Sequence, residues 1–247
     1  MVRADWLAVI PARFGSKGVP RKNIQMLGEV PLVLHTIKFA QRFFAQTLLS
    51  TDDKEVASIF FNAVKETNIW SKLREDEVMK VRQGIYVHKR AQDDADSLSP
   101  IREVLFKIAL NPKIDSVEQV VLLQPTSPFR EEADIARLES LAAHPGWTSI
   151  FSVKDVGGNH PNRMYTLDTQ GFALPIDTND SQDNVARQTL RKIFIKDGAY
   201  YLFDRKNLMD RKFIGGKPLS FQRNTKFNVN IDSQEDLILA NALWGRR

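Results

Sequence analysis

Short continuous apolar runs alternate with longer amphipathic ones along most of this 247-residue chain. That alternation limits the possible folds more than any single motif does. Leu7 to Ile10 and Val120 to Leu123 are unbroken apolar runs, the pattern of strands covered on both faces. Between them Val33, Ile37, Ala40 and Phe44 recur at helical spacing. "STDDKEVASIFFNAV" reads as a strand end, a turn and a helix, with Asp52 and Glu55 where a capping pair would start that helix. Further helices are expected over Leu98 to Leu110 and Glu132 to Ala142. Strand-helix-strand alternation of this kind predicts an α/β fold with a mostly parallel sheet.

The alternation breaks after Val153. "KDVGGNHPNRMYTLDTQGFALPIDTNDSQDN" holds glycines, prolines and short alternating pieces, so an insertion containing a hairpin is expected there. Regularity returns at "GAYYLFD". The chain closes with "FNVNIDSQEDLILANALW", read as a strand and then a helix from about Ser233. "KETNIWSKLREDEVMKVRQGIY" is a long connection, expected to be a surface helix pair or a partner-facing lid. The chain reads as one domain over 1–247, with an inserted segment at about 154–192.

Composition narrows the chemistry. The formal charge is +5, from 35 basic against 30 acidic residues, a modest excess that suits anionic small molecules better than a nucleic-acid coat. The basic residues are scattered apart from one dense loop. With no cysteine, disulfides, zinc-thiolate sites and thiol catalysis are excluded. The first apolar run is too short for a signal peptide. No run approaches the roughly 20 apolar residues of a spanning helix, so a soluble, cytoplasmic protein is expected.

The dense loop is "IPARFGSKGVPRKN", Ile10 to Asn23, directly after the first apolar run. It carries Arg13, Lys17, Arg21 and Lys22 among two glycines, a serine and two prolines. In an open parallel sheet ligands sit beyond the carboxyl ends of the strands. Gly15 and Gly18 would let backbone N–H groups approach an anion, and Ser16 would add a hydroxyl donor. A polyphosphate is the expected guest, with a solvated basic turn as the plainer alternative. Neither the P-loop pattern nor the G-x-G-x-x-G fingerprint is present.

These residues resemble the N-terminal signature of the acylneuraminate (sialic acid) cytidylyltransferases, the CMP-nonulosonate synthetases. The resemblance continues, in order, through "LLSTDD", "LLQPTSPFR", "DGAYYLFD" and "NIDSQEDL". It implies a Rossmann-like nucleotidyltransferase fold with a small dimerisation insertion, hence a homodimer. It also implies a reaction of CTP with a nine-carbon 2-keto acid sugar, with Mg²⁺ as cofactor. Sialic, legionaminic and pseudaminic acids are not separated by these residues. A Kdo-type enzyme and a non-catalytic sugar-nucleotide binder are the rival readings.

Carried over residue by residue, the resemblance gives Arg13, Ser16, Lys17, Lys22 and Asn23 to the triphosphate, with a lesser role for Arg21. Arg90 and Ser99 in "VHKRAQDDADSLS" match cytosine contacts; a surface arginine is the alternative for Arg90. Gln124 matches a sugar-acid contact, or is a satisfied buried amide. Arg163, Arg187 and Tyr201 match further sugar positions, Arg163 as a replacement for a lysine and as a candidate to reach a partner subunit's site. Tyr200 is as readily a core residue, and Arg130 is expected to start or cap the next helix. In "NVNID" the resemblance implies two metal-binding aspartates, but this chain has Asn230 and Asp232. Asp232 either binds Mg²⁺ or caps the helix from Ser233. Asp197 is a candidate substitute for the missing carboxylate. The catalytic set so implied is Arg13, Lys22 and Asp232. None of the four histidines falls in the loop motifs, and His35 is expected to be structural.

Overall fold

The structure is a computed structural model and describes residues 4–16, 18–91, 101–114, 116–176 and 190–246. Its centre is an eight-stranded sheet of order β12-β8-β11-β7-β1-β4-β6-β5. The strands are β1 (Trp6–Ala12), β4 (Gln46–Thr51), β5 (Glu77–Arg82), β6 (Ile85–Lys89), β7 (Gln119–Leu122), β8 (Ser149–Asp155), β11 (Phe194–Asp204) and β12 (Leu219–Gln222). The short pairs β2 (Met26–Leu27) with β3 (Val30–Pro31) and β9 (Tyr165–Leu167) with β10 (Ala173–Pro175) lie outside it. Strands β7, β1, β4 and β6 form a parallel block. β11 runs antiparallel between β7 and β8, and β5 is an antiparallel edge.

The alternation along β1 decides the layers. Ala8 and Ile10 face a core shared with α1 (Leu32–Phe43), α2 (Lys54–Ala63) and α4 (Glu132–Ala142), whereas Leu7 and Val9 face α3 (Ile101–Leu110) and α5 (Arg205–Met209). Both faces are covered, which is why the run is apolar without interruption. The chain moves outward from β1 to β4 and β6, then returns to the other side of β1 as β7. The strand order therefore reverses between β1 and β7, opening a crevice at their carboxyl ends.

A third apolar cluster lies below this crevice. Val19 of the opening loop packs there with Leu27, Leu32, Phe129, Val229, Ile231, and with Leu237 and Ala240 of α6 (Gln234–Trp244). It ties the basic loop to the last segment of the chain.

Four expectations change. The 65–86 connection is neither a helix pair nor a lid: it holds a 3-10 turn, Trp70–Lys72, and the β5–β6 hairpin. Its charges sit on an edge strand, where they block further pairing. Residues 227–232 do not form a strand. Ile231 N–H donates to the Thr126 carbonyl at 2.7 Å, and among the described residues no strand continues a ladder there. The α2 cap is Asp53, not Asp52; its carboxylate accepts from the Glu55 and Val56 N–H groups. Ser233, in a capping box with Asp236, starts α6, which removes the capping role from Asp232. The inserted segment does hold a hairpin, β9–β10. Among the described residues no helix is long and apolar enough to cross a membrane.

Candidate active site

The crevice holds a cavity of about 410 Å³ lined by Pro11, Arg13, Gly15, Ser16, Lys22, Asn23, Arg90, Ile101, Gln124, Pro125, Thr126, Asn230 and Asp232. Eight of these, Arg13, Ser16, Lys22, Asn23, Arg90, Gln124, Asn230 and Asp232, are candidate residues read from the sequence. They arrive from the ends of β1, β6 and β7 and from the segment before α6.

The basic loop is fastened at several points. Phe14 N–H donates to Asp52 Oδ1 at 2.8 Å, and Asn23 Nδ2 donates to the Arg13 carbonyl at 3.0 Å. Arg21 leaves the cavity wall. It pairs with Asp53 and Glu55, each at 3.0 Å, and lies 4.7 Å from the Phe14 ring centroid. Its hydrogen bond to Asp53 raises the guanidinium pKa further. Gly18 has a packing reason: a Cβ there would fall 1.8 Å from the Asp232 carbonyl oxygen. Gly15 faces open space, which fits the expected anion approach.

Lys22 is nearly buried, and its Nζ donates to the Ile231 carbonyl at 2.7 Å and to Asp232 Oδ1 at 3.0 Å. Asp232 Oδ2 accepts from Asn230 Nδ2. Asn230 and Asp232 therefore do share a side, although no strand puts them there. Their oxygens are hard donors suited to magnesium, and Asp232 is 68% exposed. Among the described residues no group of three or more His, Cys, Asp or Glu side chains gathers around a possible ion. The residues fit a magnesium ion that takes one carboxylate from the protein and its other ligands from phosphate and water.

The floor comes from β11 and the turn after β7. Gly198 has φ +78°, and a Cβ on it would meet Ser127 Oγ, Asn230 Oδ1 and Gln124 Oε1 at 2.8, 3.1 and 3.2 Å. Ser127 Oγ is 3.0 Å from both the Asp197 carbonyl and Asn230 Oδ1. Arg130 does not cap a helix; Glu131 does that for α4. Arg130 is buried, and donates to the carbonyls of Gln124 (2.6 Å) and Ala199 (3.1 Å) and to Thr36 Oγ1 (3.1 Å). Burial lowers its pKa to about 10.

Asp197 is not a substitute metal ligand. It is buried, and accepts from Arg223 Nε at 2.6 Å, Asn228 Nδ2 at 3.0 Å, Ala199 N–H at 3.1 Å and Ser152 Oγ. Burial pushes its carboxyl up, but Arg223, Ser152 and Ala199 together hold it below the ordinary range. Sequence reasoning missed Arg223 altogether. It is buried, carries no motif, and its partners lie 26 and 94 residues away.

The remaining candidates stand elsewhere. Arg163 is exposed in the 3-10 turn Pro161–Arg163, next to the β9–β10 hairpin. Tyr201 sits opposite Leu122 on β11, half-buried, with its ring 6.5 Å from Phe151. Neither lines the cavity. Tyr200 is fully buried in the core. Lys17, Ser99 and Arg187 lie outside the described residues. His35 is structural, with Nε2 2.8 Å from the Leu27 carbonyl and its ring against Trp244.

Residues 7–79 match the cytidylyltransferase family profile. The chain is 25% identical over 236 residues to an N-acylneuraminate cytidylyltransferase of Streptococcus agalactiae serotype V, covering 94% of this chain and 51% of that protein. It is 28% identical over 242 residues to the CMP-N,N'-diacetyllegionaminic acid synthase of Legionella pneumophila, covering 96% and 95%. The chain thus spans about half the length of the first of these relatives and nearly all of the second. Among solved structures, a CMP:2-keto-3-deoxy-manno-octonic acid synthetase complexed with CTP superposes with a TM-score of 0.63 at 15% identity, covering 98% of each chain. A 4-diphosphocytidyl-2C-methyl-D-erythritol synthase from Anaerococcus prevotii gives 0.59 at 16% identity, again covering 98% of each. These two establish a Rossmann-like nucleotidyltransferase fold. Over nearly its whole length the chain is similar to the N-acylneuraminate and legionaminate cytidylyltransferases, as the motifs of its sequence suggest.

Proposed function

We propose that the chain transfers CMP from CTP to the anomeric hydroxyl of a nonulosonic acid and releases pyrophosphate. One observation carries the reading. The loop cations Arg13 and Lys22, the β6-end Arg90, the amide of Gln124 and the carboxylate of Asp232 line a single cavity at the point where the strand order reverses. The names of the relatives support the same chemistry.

In this reading Arg13, Ser16, Lys22 and Asn23 hold the triphosphate, joined by Lys17. Arg90 and Ser99 select cytosine. Gln124, Arg187 and a partner subunit's Arg163 orient the sugar acid, and Tyr201, which does not line the cavity, supports it from β11. The anomeric oxygen bonds to the α-phosphorus, and the bond from that phosphorus to the bridging oxygen breaks. The electron pair leaves with pyrophosphate. Arg13 and Lys22 neutralise the charge that builds on the departing oxygens, so positioning and electrostatics do most of the work. No histidine lines the cavity, leaving Asp232 and water as acceptors for the hydroxyl proton. Magnesium held by Asp232, with Asn230 beside it, would add charge neutralisation on the phosphates.

The β9–β10 hairpin supports a homodimer built on the inserted segment. Tyr165, Leu167, Phe172, Leu174 and Ile176 are all exposed there, apolar side chains spread over both faces of the hairpin that a second copy would cover. The reading is of a cytoplasmic activity, because its nucleotide is made in that compartment.

Pyrophosphate release should be measured with CTP and Mg²⁺ against sialic, legionaminic and pseudaminic acids and Kdo, with GTP, UTP and ATP as base controls. Turnover with CTP and one nonulosonic acid is expected. Turnover with Kdo alone would move the substrate to the eight-carbon class. Asn230 favours one further reading, a non-catalytic sugar-nucleotide binder, and CTP binding with no turnover across the panel would establish it.

A further inference from the structure

Asp197 joins four separate elements at one buried carboxylate. Ser152 reaches it from β8, Ala199 N–H from within β11, Arg223 from just after β12, and Asn228 from the segment that carries Asn230. The β11–β8 register shifts between Lys196 and Tyr201, so this is a bulge, and Gly198 is its φ +78° residue. A bulge re-aims the backbone where pairing stops. Here it turns the bare face of Gly198 toward Gln124 Oε1, Ser127 Oγ and Asn230 Oδ1. Arg223 extends the connection by donating to the Phe129 carbonyl, and Arg130 donates to the carbonyls of Gln124 and Ala199. Both polar residues on the cavity floor are thus tied to the bulge, Gln124 through Arg130 and Asn230 through Ser127 and Asn228.

We infer that Asp197 and Arg223 are positioning residues for the sugar-acid end of the site. Neither lines the cavity. Their ion pair fixes the bulge at Gly198, and the bulge fixes where the Gln124 and Asn230 amides present their polar atoms. The triphosphate end is fastened chiefly by other contacts, at Asp52, Ile231 and Gly18, and meets the floor through the hydrogen bond from Asn230 to Asp232. Loss of the ion pair should therefore misplace the sugar acid far more than the nucleotide. The inference rests on the functional reading above for which substrate meets Gln124.

The test is Asp197→Asn, which leaves Arg223 paired with the buried Asp134, with the double variant Asp197→Asn/Arg223→Gln, which removes both charges of the pair, should the single variant not fold. Expected is a KM for the sugar acid raised about ten- to a hundred-fold with a lower kcat. The CTP dissociation constant should stay within about two-fold. A structural role alone would lower the melting temperature and move neither ratio, and that result in a folded variant would overturn the inference. A second readout needs no turnover: the side-chain amide NMR signals of Gln124 and Asn230, assigned by their loss in Gln124→Glu and Asn230→Asp. Shifted amides alongside a wild type that turns over no nonulosonic acid would keep the positioning role and reject the proposed substrate. Unmoved amides in the variant would reject the positioning role whatever the wild type turns over.

Discussion

The two ends of the cavity are built in opposite ways. At the mouth, the loop after β1 carries partly exposed cations on a stretch of backbone held by a few hydrogen bonds and by Val19. At the floor, Asp197, Arg223 and Arg130 are buried and hydrogen-bonded to other protein groups. Charge at the mouth, on Arg13 and Lys22, lines the cavity that a ligand would enter. Charge at the floor is consumed in holding shape. Desolvation explains the division. A buried ion is tolerated only when paired and hydrogen-bonded, so it has little left to offer a substrate.

The largest effect should come from the floor. Arg223→Met strands Asp197 as a buried carboxylate without its partner, and should cost about 3–5 kcal/mol of stability, read by chemical denaturation. A melt unchanged within error would mean the floor is more open to water than its burial implies. Next comes the mouth. Arg13→Ala should lower kcat/KM about 10²- to 10³-fold, the usual effect of removing one charge-stabilising donor, while the denaturation midpoint stays put. A variant that melts early instead would place Arg13 with the structural group.

His88 lies between the two in character. It is buried at the end of β6, with Nδ1 3.0 Å from Ser50 Oγ and Nε2 3.6 Å from Asp76 Oδ1, and faces Arg90 and Lys107 as well. Burial lowers its pKa to about 4, outweighing the pull of Asp76. The unfolded chain therefore takes up the proton first. Stability is intact above about pH 6.5 and falls as pH drops toward 4, by at most about 3 kcal/mol. His88→Gln should flatten that slope in denaturation curves collected across the window.

The smallest expected effect compares metal with no metal. Asn230→Asp removes the amide that donates to Asp232 and sets two carboxylates side by side. The variant should melt lower without Mg²⁺ and recover with it, its metal midpoint tighter by about three-fold. Identical Mg²⁺ titrations for the two proteins would mean that position 230 does not face the ion.

The same division governs what the sequence could reveal. The mouth was legible because its residues are neighbours in the chain, and glycine spacing and cation density are local signals. The layered fold was legible because β1 and the run Val120 to Leu123 are apolar throughout and α1 repeats at helical spacing. The floor was not. Arg223 and Asp197 are 26 residues apart, and Ser127 and Asn230 are 103 apart, so no local pattern joins them. Arg130 looked like a helix-start residue because it precedes α4, and only tertiary packing turns it inward. "FNVNID" has strand-like composition, yet a strand needs a neighbour to bond to, and among the described residues none continues a ladder there.

The contact between Lys22 and Ile231 spans 209 positions, and its consequence concerns time. A ribosome delivers the basic loop 209 residues ahead of its anchor. Parallel strands and distant pairings already make such folds slow to form. During synthesis β1 can find β4 and then β7, but Lys22 has no carbonyl to grip and Gly18 has nothing to rest on until Ile231 and Asp232 emerge. A nascent chain with its sheet half assembled therefore still lacks one wall of the cavity, which is completed when α6 packs against Val19 and Leu27.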